Sequence, residues 1–194
     1  MSFKKYLEKN NTPGVVFTFG RFNPPMTSGH YENFQFLAKY AKKHKMDAII
    51  FTSSTQNSKK NPLNFNDKTM YLELGSPKGV KVSKDGTLKN AFQILEDLIK
   101  NKKYKRVTFV VGGDRINDFN DMKKYAKTWG EEAGIGPVDL QIVSSGNRKK
   151  GVSGTQVRNY VKEGDFESFK KVLAKSLHKY AEDIFKKTAQ GLNV

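Results

Sequence analysis

Short runs of β-branched and aromatic residues alternate along this chain with longer segments whose apolar side chains return every three or four positions. The first run, Gly14 to Gly20 (GVVFTFG), has the composition of a buried strand. From about Ser28 to Lys45, Tyr31, Phe34, Leu37, Ala38 and Ala41 recur at helical spacing. A second strand is predicted over Asp47 to Ser53 (DAIIFTS), followed by a polar loop over Ser54 to Asn66. A short helix near Asp67 to Leu74 and a short strand over Gly79 to Val82 come next. The clearest amphipathic helix spans Thr87 to Lys100, with Leu88, Ala91, Phe92, Leu95, Leu98 and Ile99 on one side. Arg106 to Val111 (RVTFVV) reads as a strand ending in Gly112-Gly113-Asp114. A lysine-rich helix follows over Asp121 to Thr128, then a strand over Val138 to Val143. From Ser153 to about Gln190 the pattern is helical, with a break near Gly164.

This order of strands and helices predicts an α/β fold: a parallel sheet with helices on both faces and a C-terminal helical segment. Ligands of such sheets bind beyond the carboxyl ends of the strands, where strand order reverses. The chemistry is therefore expected after Gly20, Ser53, Val111 and Val143.

Composition narrows the reading. At 194 residues with 37% hydrophobic side chains, residues 1–194 fit a single domain with a real core. The absence of cysteine removes disulfides, thiol nucleophiles and thiolate metal sites. No apolar run approaches the roughly 20 residues of a membrane span, and Met1 to Asn10 lacks the apolar stretch of a signal peptide. A soluble, cytoplasmic protein is expected. The formal net charge of +16 attracts polyanions. Lysine is spread along the whole chain, which favours a solvated basic surface over a dedicated nucleic-acid site.

Two segments carry candidate chemistry. The first is Gly20-Arg21-Phe22-Asn23-Pro24-Pro25-Met26-Thr27-Ser28-Gly29-His30. Gly20 permits a tight turn, the prolines keep the turn from becoming helical, and Thr27 or Ser28 can cap the following helix. His30 then falls in the first helical turn, where unpaired N–H groups and the helix dipole favour anions. The second is Gly151-Val152-Ser153-Gly154-Thr155-Gln156-Val157-Arg158. Ser153 is a plausible N-cap, the N–H groups of Gly154 and Thr155 point out of the helix end, and Arg158 can offer a planar fork to phosphate. An ordinary proline turn and an ordinary capped helix are the plainer readings of these two segments.

Together they resemble the two signatures of the nucleotidyltransferase superfamily that includes cytidylyltransferases and adenylyltransferases. Thr27-Ser28-Gly29-His30 matches its (His/Thr)-x-Gly-His motif. The threonine resembles the pantetheine-phosphate adenylyltransferase branch and phage-encoded relatives, for which the location would be the host cytoplasm. Ser153 to Arg158 is similar to Ile-Ser-Ser-Thr-x-x-Arg, with Gly154 in place of the second serine. The resemblance implies a Rossmann-like sheet and direct in-line attack of an acceptor phosphate on the α-phosphorus of ATP or CTP. It implies catalytic roles for Thr27, His30 and Arg158. It also implies nucleotide contacts from Gly20, Arg21, Phe22, Asn23, Gly29, Gly112, Asp114, Ser153, Gly154 and Thr155. Mg2+ would arrive with the nucleotide, since no carboxylate cluster suggests a protein metal site.

Weaker signals surround these. Gly112-Gly113-Asp114-Arg115 resembles the family's Gly-x-Asp segment, with Arg115 a candidate phosphate contact. Lys59 and Lys60 either close over the acceptor phosphate or form a basic loop. Arg148, Lys149 and Lys150 partly match a cytidylyltransferase lead-in, whereas Arg158 fits the adenylyltransferase form better. His44 and His178 are expected at the surface, and Trp129 in packing. The stripe Phe166, Phe169, Val172, Leu173, Leu177, Tyr180 and Ile184 either covers the core or makes a homo-oligomer contact. The reading favours AMP transfer to a small phosphorylated acceptor. A CTP-dependent cytidylyltransferase is the near alternative, and a basic nucleic-acid-binding protein without catalysis is the alternative of another class.

Overall fold

Five strands form one parallel sheet in the computed structural model, which describes residues 13–146 and 152–194, and Asp114 by its backbone alone. The strands are β1 (Gly14–Gly20), β2 (Asp47–Thr52), β3 (Val80–Val82), β4 (Arg106–Val111) and β5 (Asp139–Ser144). They lie in the order β3-β2-β1-β4-β5. The chain steps outward from β1 to β2 and β3, then returns to β4 on the other side of β1. Strand order therefore reverses between β1 and β4, and the crevice in which such sheets bind ligands is the one beyond the carboxyl ends of these two strands. β1 is central because it can be buried on both faces: Val15, Val16 and Phe17 are fully buried. Its Phe17 ring stacks on Phe109 of β4 at 4.5 Å and meets Phe51 of β2 edge-on at 5.9 Å.

Seven α-helices occur among the described residues: α1 (Ser28–His44), α2 (Phe65–Gly75), α3 (Ala91–Lys100), α4 (Met122–Glu132), α5 (Gly154–Lys162), α6 (Phe166–Val172) and α7 (Ala181–Leu192). Helices α3 and α4 close one core layer through Ile94, Leu95, Leu98, Met122 and Ala126. On the other face α1, α2 and the C-terminal helices pack through Phe34, Leu37, Tyr71, Phe169, Leu177 and Ile184. The stripe from Phe166 to Ile184 is thus core covering, and Trp129 packs against the α3–α4 layer. This is the expected doubly covered, Rossmann-like α/β sheet.

Several boundaries differ from the pattern, each for a local reason. Helix α3 starts at Ala91, not Thr87, because Asp85 accepts from Thr87 N at 2.8 Å and Asn90 caps Gln93 N at 3.0 Å. Helix α2 begins at Phe65 because Asn64 caps Asp67 N at 2.8 Å. Helix α4 continues to Glu132, and Gly134 follows at φ +70°. The C-terminal segment breaks at Gly164, as expected, and again at Leu173-Ala174. There it leaves the helix to bridge Thr27, and Ala174 N donates to Met26 O at 2.9 Å. His178 lies on a 3-10 turn (Lys175–Tyr180) rather than a helix, half-buried, with its Nε2 3.2 Å from Leu173 O. No helix among the described residues is long and apolar enough to cross a membrane.

Candidate active site

The loop from Gly20 to Thr27 leaves the end of β1 and is tied down on every side. A Cβ on Gly20 would meet the Phe22 ring at 2.6 Å, so glycine is what lets that ring fold back over the strand end. Phe22 adopts φ 43°, a left-handed conformation costly for a bulky side chain. Its ring lies edge-on to His30 at 5.1 Å and to Phe34 at 5.2 Å. Thr52 Oγ1, at the end of β2, donates to the carbonyls of Gly20 and Arg21, both at 3.1 Å. Asn23 is buried and acts on the neighbouring loop. Its Nδ2 donates to Leu63 O at 2.9 Å while its Oδ1 accepts from Leu63 N at 3.1 Å.

Thr27, rather than Ser28, caps α1. Its Oγ1 accepts from His30 N at 3.4 Å, and its own N–H donates to His30 Nδ1 at 3.2 Å. This reciprocal capping box fixes the imidazole at the helix N-terminus. Accepting that bond requires Nδ1 without a proton, so the assigned tautomer carries its N–H on Nε2. The same bonds place Thr27 in a capping role, with its side chain buried.

The second segment meets the first at this loop. Ser153 caps α5 by accepting from Gln156 N at 3.1 Å. One turn on, half-buried Arg158 folds back across the helix start. Its Nη2 donates to Thr155 Oγ1 at 3.2 Å, and a Cβ on Gly154 would crowd its Nη1 at 3.2 Å. Nη1 donates to Asn23 O at 3.1 Å and to Lys60 O at 3.4 Å. Burial, and after it the charge of Arg21, lower the Arg158 pKa. The two helix starts, separated by more than 100 residues of sequence, thus bring His30, Arg21 and Arg158 to one loop. Two guanidinium groups within Coulombic reach of each other, beside two helix N-termini, give this loop a positive field that attracts anions.

Lys59 and Lys60 are exposed on a turn built by Asn57. The Asn57 Oδ1 accepts from the N–H groups of Lys59, Lys60 and Asn61 at 3.2, 2.8 and 3.3 Å. Lys89, on the loop after β3, reaches Ser54 Oγ at 2.8 Å and adds a further cation to this side of the crevice. Gly112 and Gly113 follow β4, and Gly113 N donates to Gly146 O at 3.2 Å. Asp114 has its backbone in the following 3-10 turn (Gly113–Arg115). Arg115 turns away to Asp118, with Nε–Oδ2 at 3.2 Å, and lies over Phe119. Arg148, Lys149, Lys150 and Gly151 lie outside the described residues, as do Met1 to Asn10. No group of three His, Asp or Glu that could hold a metal ion occurs among the described residues.

The sequence pattern did not single out Lys68, Thr52, Asn33 or Lys89. Lys68 lies on α2, completely buried, and donates to Ser53 O just beyond the end of β2. Burial pushes its pKa down to about 8. A signal was present: Lys68, Tyr71, Leu72 and Gly75 share one helix face, and that face is buried. Asn33, one turn after His30, donates to Ser145 Oγ at 2.7 Å and so ties α1 to the end of β5.

The family model described as cytidylyltransferase-like matches residues 17–160 of this chain. No curated protein matches the chain. Among solved structures, the chain is similar to a Vibrio parahaemolyticus protein assigned as a nicotinate-nucleotide adenylyltransferase. The TM-score is 0.58 and the identity 17%, over 88% of this chain and 99% of the other. A macrolide-efflux protein from Streptococcus pneumoniae aligns at TM-score 0.49 and 18% identity, over 84% of this chain and 55% of the other. Thermotoga maritima TmcAL, solved with alpha-thio ATP, aligns at TM-score 0.49 and 12% identity, over 94% of this chain and 56% of the other. The Vibrio likeness speaks to the fold alone.

Proposed function

The chain belongs to the cytidylyltransferase-like family, and we propose that it is a cytoplasmic nucleotidyltransferase moving AMP from ATP onto a small phosphorylated acceptor. The observation that carries this reading is the meeting of Arg21, His30 and Arg158 on one loop at the point where strand order reverses. An acceptor phosphate oxygen attacks the α-phosphorus. A new P–O bond forms as the bond to the β-phosphate bridging oxygen breaks, and pyrophosphate departs with that electron pair. The enzyme forms no covalent intermediate; its work is orientation and neutralisation of developing charge.

His30 Nε2–H donates to the departing pyrophosphate or the α-phosphoryl oxygens. Arg158, with Ser153 and the N–H groups of Gly154 and Thr155, holds the β- and γ-phosphates. Arg21 adds charge from the loop that Arg158 bonds. Gly112 and Asp114 line the nucleotide side, and Lys59 and Lys60 face the acceptor. Asn23, Phe22 and Thr27 position these groups through the bonds described above. Among the described residues no carboxylate set for magnesium occurs, so the ion would be carried by the nucleotide's own phosphates and no step is assigned to it. The fit of Arg158 to the adenylyltransferase form of the second motif favours ATP over CTP.

The test is pyrophosphate release with each of the four NTPs against a panel of phosphorylated acceptors. His30→Ala is expected to lower turnover on the order of 10²-fold or more, the scale of one lost charge-stabilising donor. Turnover with CTP alone would make the enzyme a cytidylyltransferase. Saturable, steeply salt-dependent nucleic-acid binding without turnover would remove the enzymatic reading.

A further inference from the structure

Lys68 is the least economical residue in the described structure. It is completely buried on α2, yet its ammonium forms no ion pair among the described residues and has one acceptor, Ser53 O. An ammonium carries three donors and strongly prefers water. Burying it without a carboxylate opposes folding, and an apolar side chain of similar length would suit the core beside Tyr71 and Leu72 better. The acids of the neighbourhood are committed elsewhere: Asp67 pairs with Lys187 at 2.8 Å, and Asp183 receives the Tyr71 hydroxyl.

The location explains what the isolated chain does not. Ser53 is the first residue past β2, and its N–H donates to Gly20 O at 3.1 Å, where the His30 loop begins. Lys68 therefore stands one peptide unit behind the wall of the crevice. Arg21 and Lys60 lie on the neighbouring loops and Arg158 on α5, and none of them can neutralise another cation.

We propose that Lys68 is a buried counter-charge for a phosphate-bearing ligand in the crevice, acting through the Ser53 peptide without touching that ligand. This rests on the nucleotidyltransferase reading, and makes Lys68 a positioning residue of that site. Its positive charge is screened little by solvent, so it strengthens the anion's binding from behind the wall. In the absence of ligand the same charge opposes the fold, which separates this role from an ordinary structural one.

The experiment compares the parent chain with Lys68→Met, neutral and of similar length, and Lys68→Gln, neutral but still able to donate to Ser53 O. Thermal unfolding is measured without ligand, and binding of ATP and of CTP, each with magnesium, by calorimetry. The expected result is an unfolding midpoint for Lys68→Gln at or above the parent's, with nucleotide affinity weakened on the order of 10-fold for the lost charge. Lys68→Met is expected to bind as weakly. If Lys68→Met fails to fold, Lys68→Gln decides, because it removes the charge and retains a donor. A loss of stability in both variants overturns the proposal and makes Lys68 structural. Parent-like affinity in a folded variant overturns it equally. A parent that binds neither nucleotide overturns both this proposal and the nucleotidyltransferase reading, whereas failure in the variants alone leaves that reading standing.

Discussion

Replacing Asn23 by alanine isolates the link between the loops that follow β1 and β2. Asn23 is buried and makes two hydrogen bonds to a single residue, Leu63, at 2.9 and 3.1 Å. Leu63 is itself 2% exposed, so water cannot easily take over its N–H and C=O. Each lost bond is worth about 1 kcal/mol net, and stranding buried backbone groups adds to that, giving about 2–4 kcal/mol in all. With a urea slope of about 2 kcal/mol/M for a chain of this size, the midpoint falls by roughly 1–2 M. Urea unfolding followed by circular dichroism measures this directly. Asn23→Asp adds a check on the geometry. Its carboxylate can accept from Leu63 N but sets a charged oxygen against Leu63 O. It should therefore be destabilised at neutral pH and regain stability in acid, where the protonated carboxyl restores a donor. A change below about 0.5 kcal/mol for Asn23→Ala, the scale of an ordinary surface substitution, would refute the buried two-point tie.

Other consequences follow from single contacts. A Cβ on Gly191 of α7 would lie 2.1 Å from Pro62 O, so Gly191→Ala must push the helix off the Lys59–Lys60 loop. A loss of about 1–3 kcal/mol is expected in the same urea assay. The pH dependence of stability carries the signature of Lys68. Its folded pKa is lowered to about 8 from an ordinary 10.5, so between those values the unfolded chain binds more protons. Stability therefore rises with pH from about 8 towards 10, and Lys68→Met lacks that rise. Tyr71 and Tyr104, both pushed up to about 12, act in the opposite sense and only above pH 10. Thermal melts at pH 7.5, 8.5 and 9.5 separate the two effects.

The order of strands and helices was legible because hydrophobic periodicity reports burial, and burial here follows the layers closely. Val15 to Phe17 and Val107 to Val111 read as strands since both faces of a central parallel strand are covered. The start of α3 was not legible: Leu88 continues the apolar period, but the competing bonds of Asp85 and Asn90 hold the chain out of the helix. The second C-terminal break, at Leu173, has no glycine or proline to announce it. It exists because that segment pairs with Thr27, a contact between distant parts of the chain.

The site shows the same division. His30, Arg158 and their capping residues stand out because helix starts have a local grammar of Thr, Ser and Gly. The roles of Asn23 and Lys68 depend on partners 40 and 15 residues away, Leu63 and Ser53. Asn23 reads locally as a turn residue of a nucleotide-binding motif, yet the fold turns its amide towards Leu63. Arg115 reads as a phosphate contact, yet Asp118 three residues on takes its guanidinium.

A structure determined with a non-hydrolysable ATP analogue and magnesium shows whether His30 and Arg158 share one polyphosphate. The expected result is one nucleotide whose phosphates lie within hydrogen-bond distance of both His30 Nε2 and the Arg158 guanidinium, beyond the carboxyl ends of β1 and β4. A nucleotide bound elsewhere, such as in the groove of about 510 Å³ lined by Lys123, Lys127 and β5, with His30 and Arg158 untouched, would contradict it.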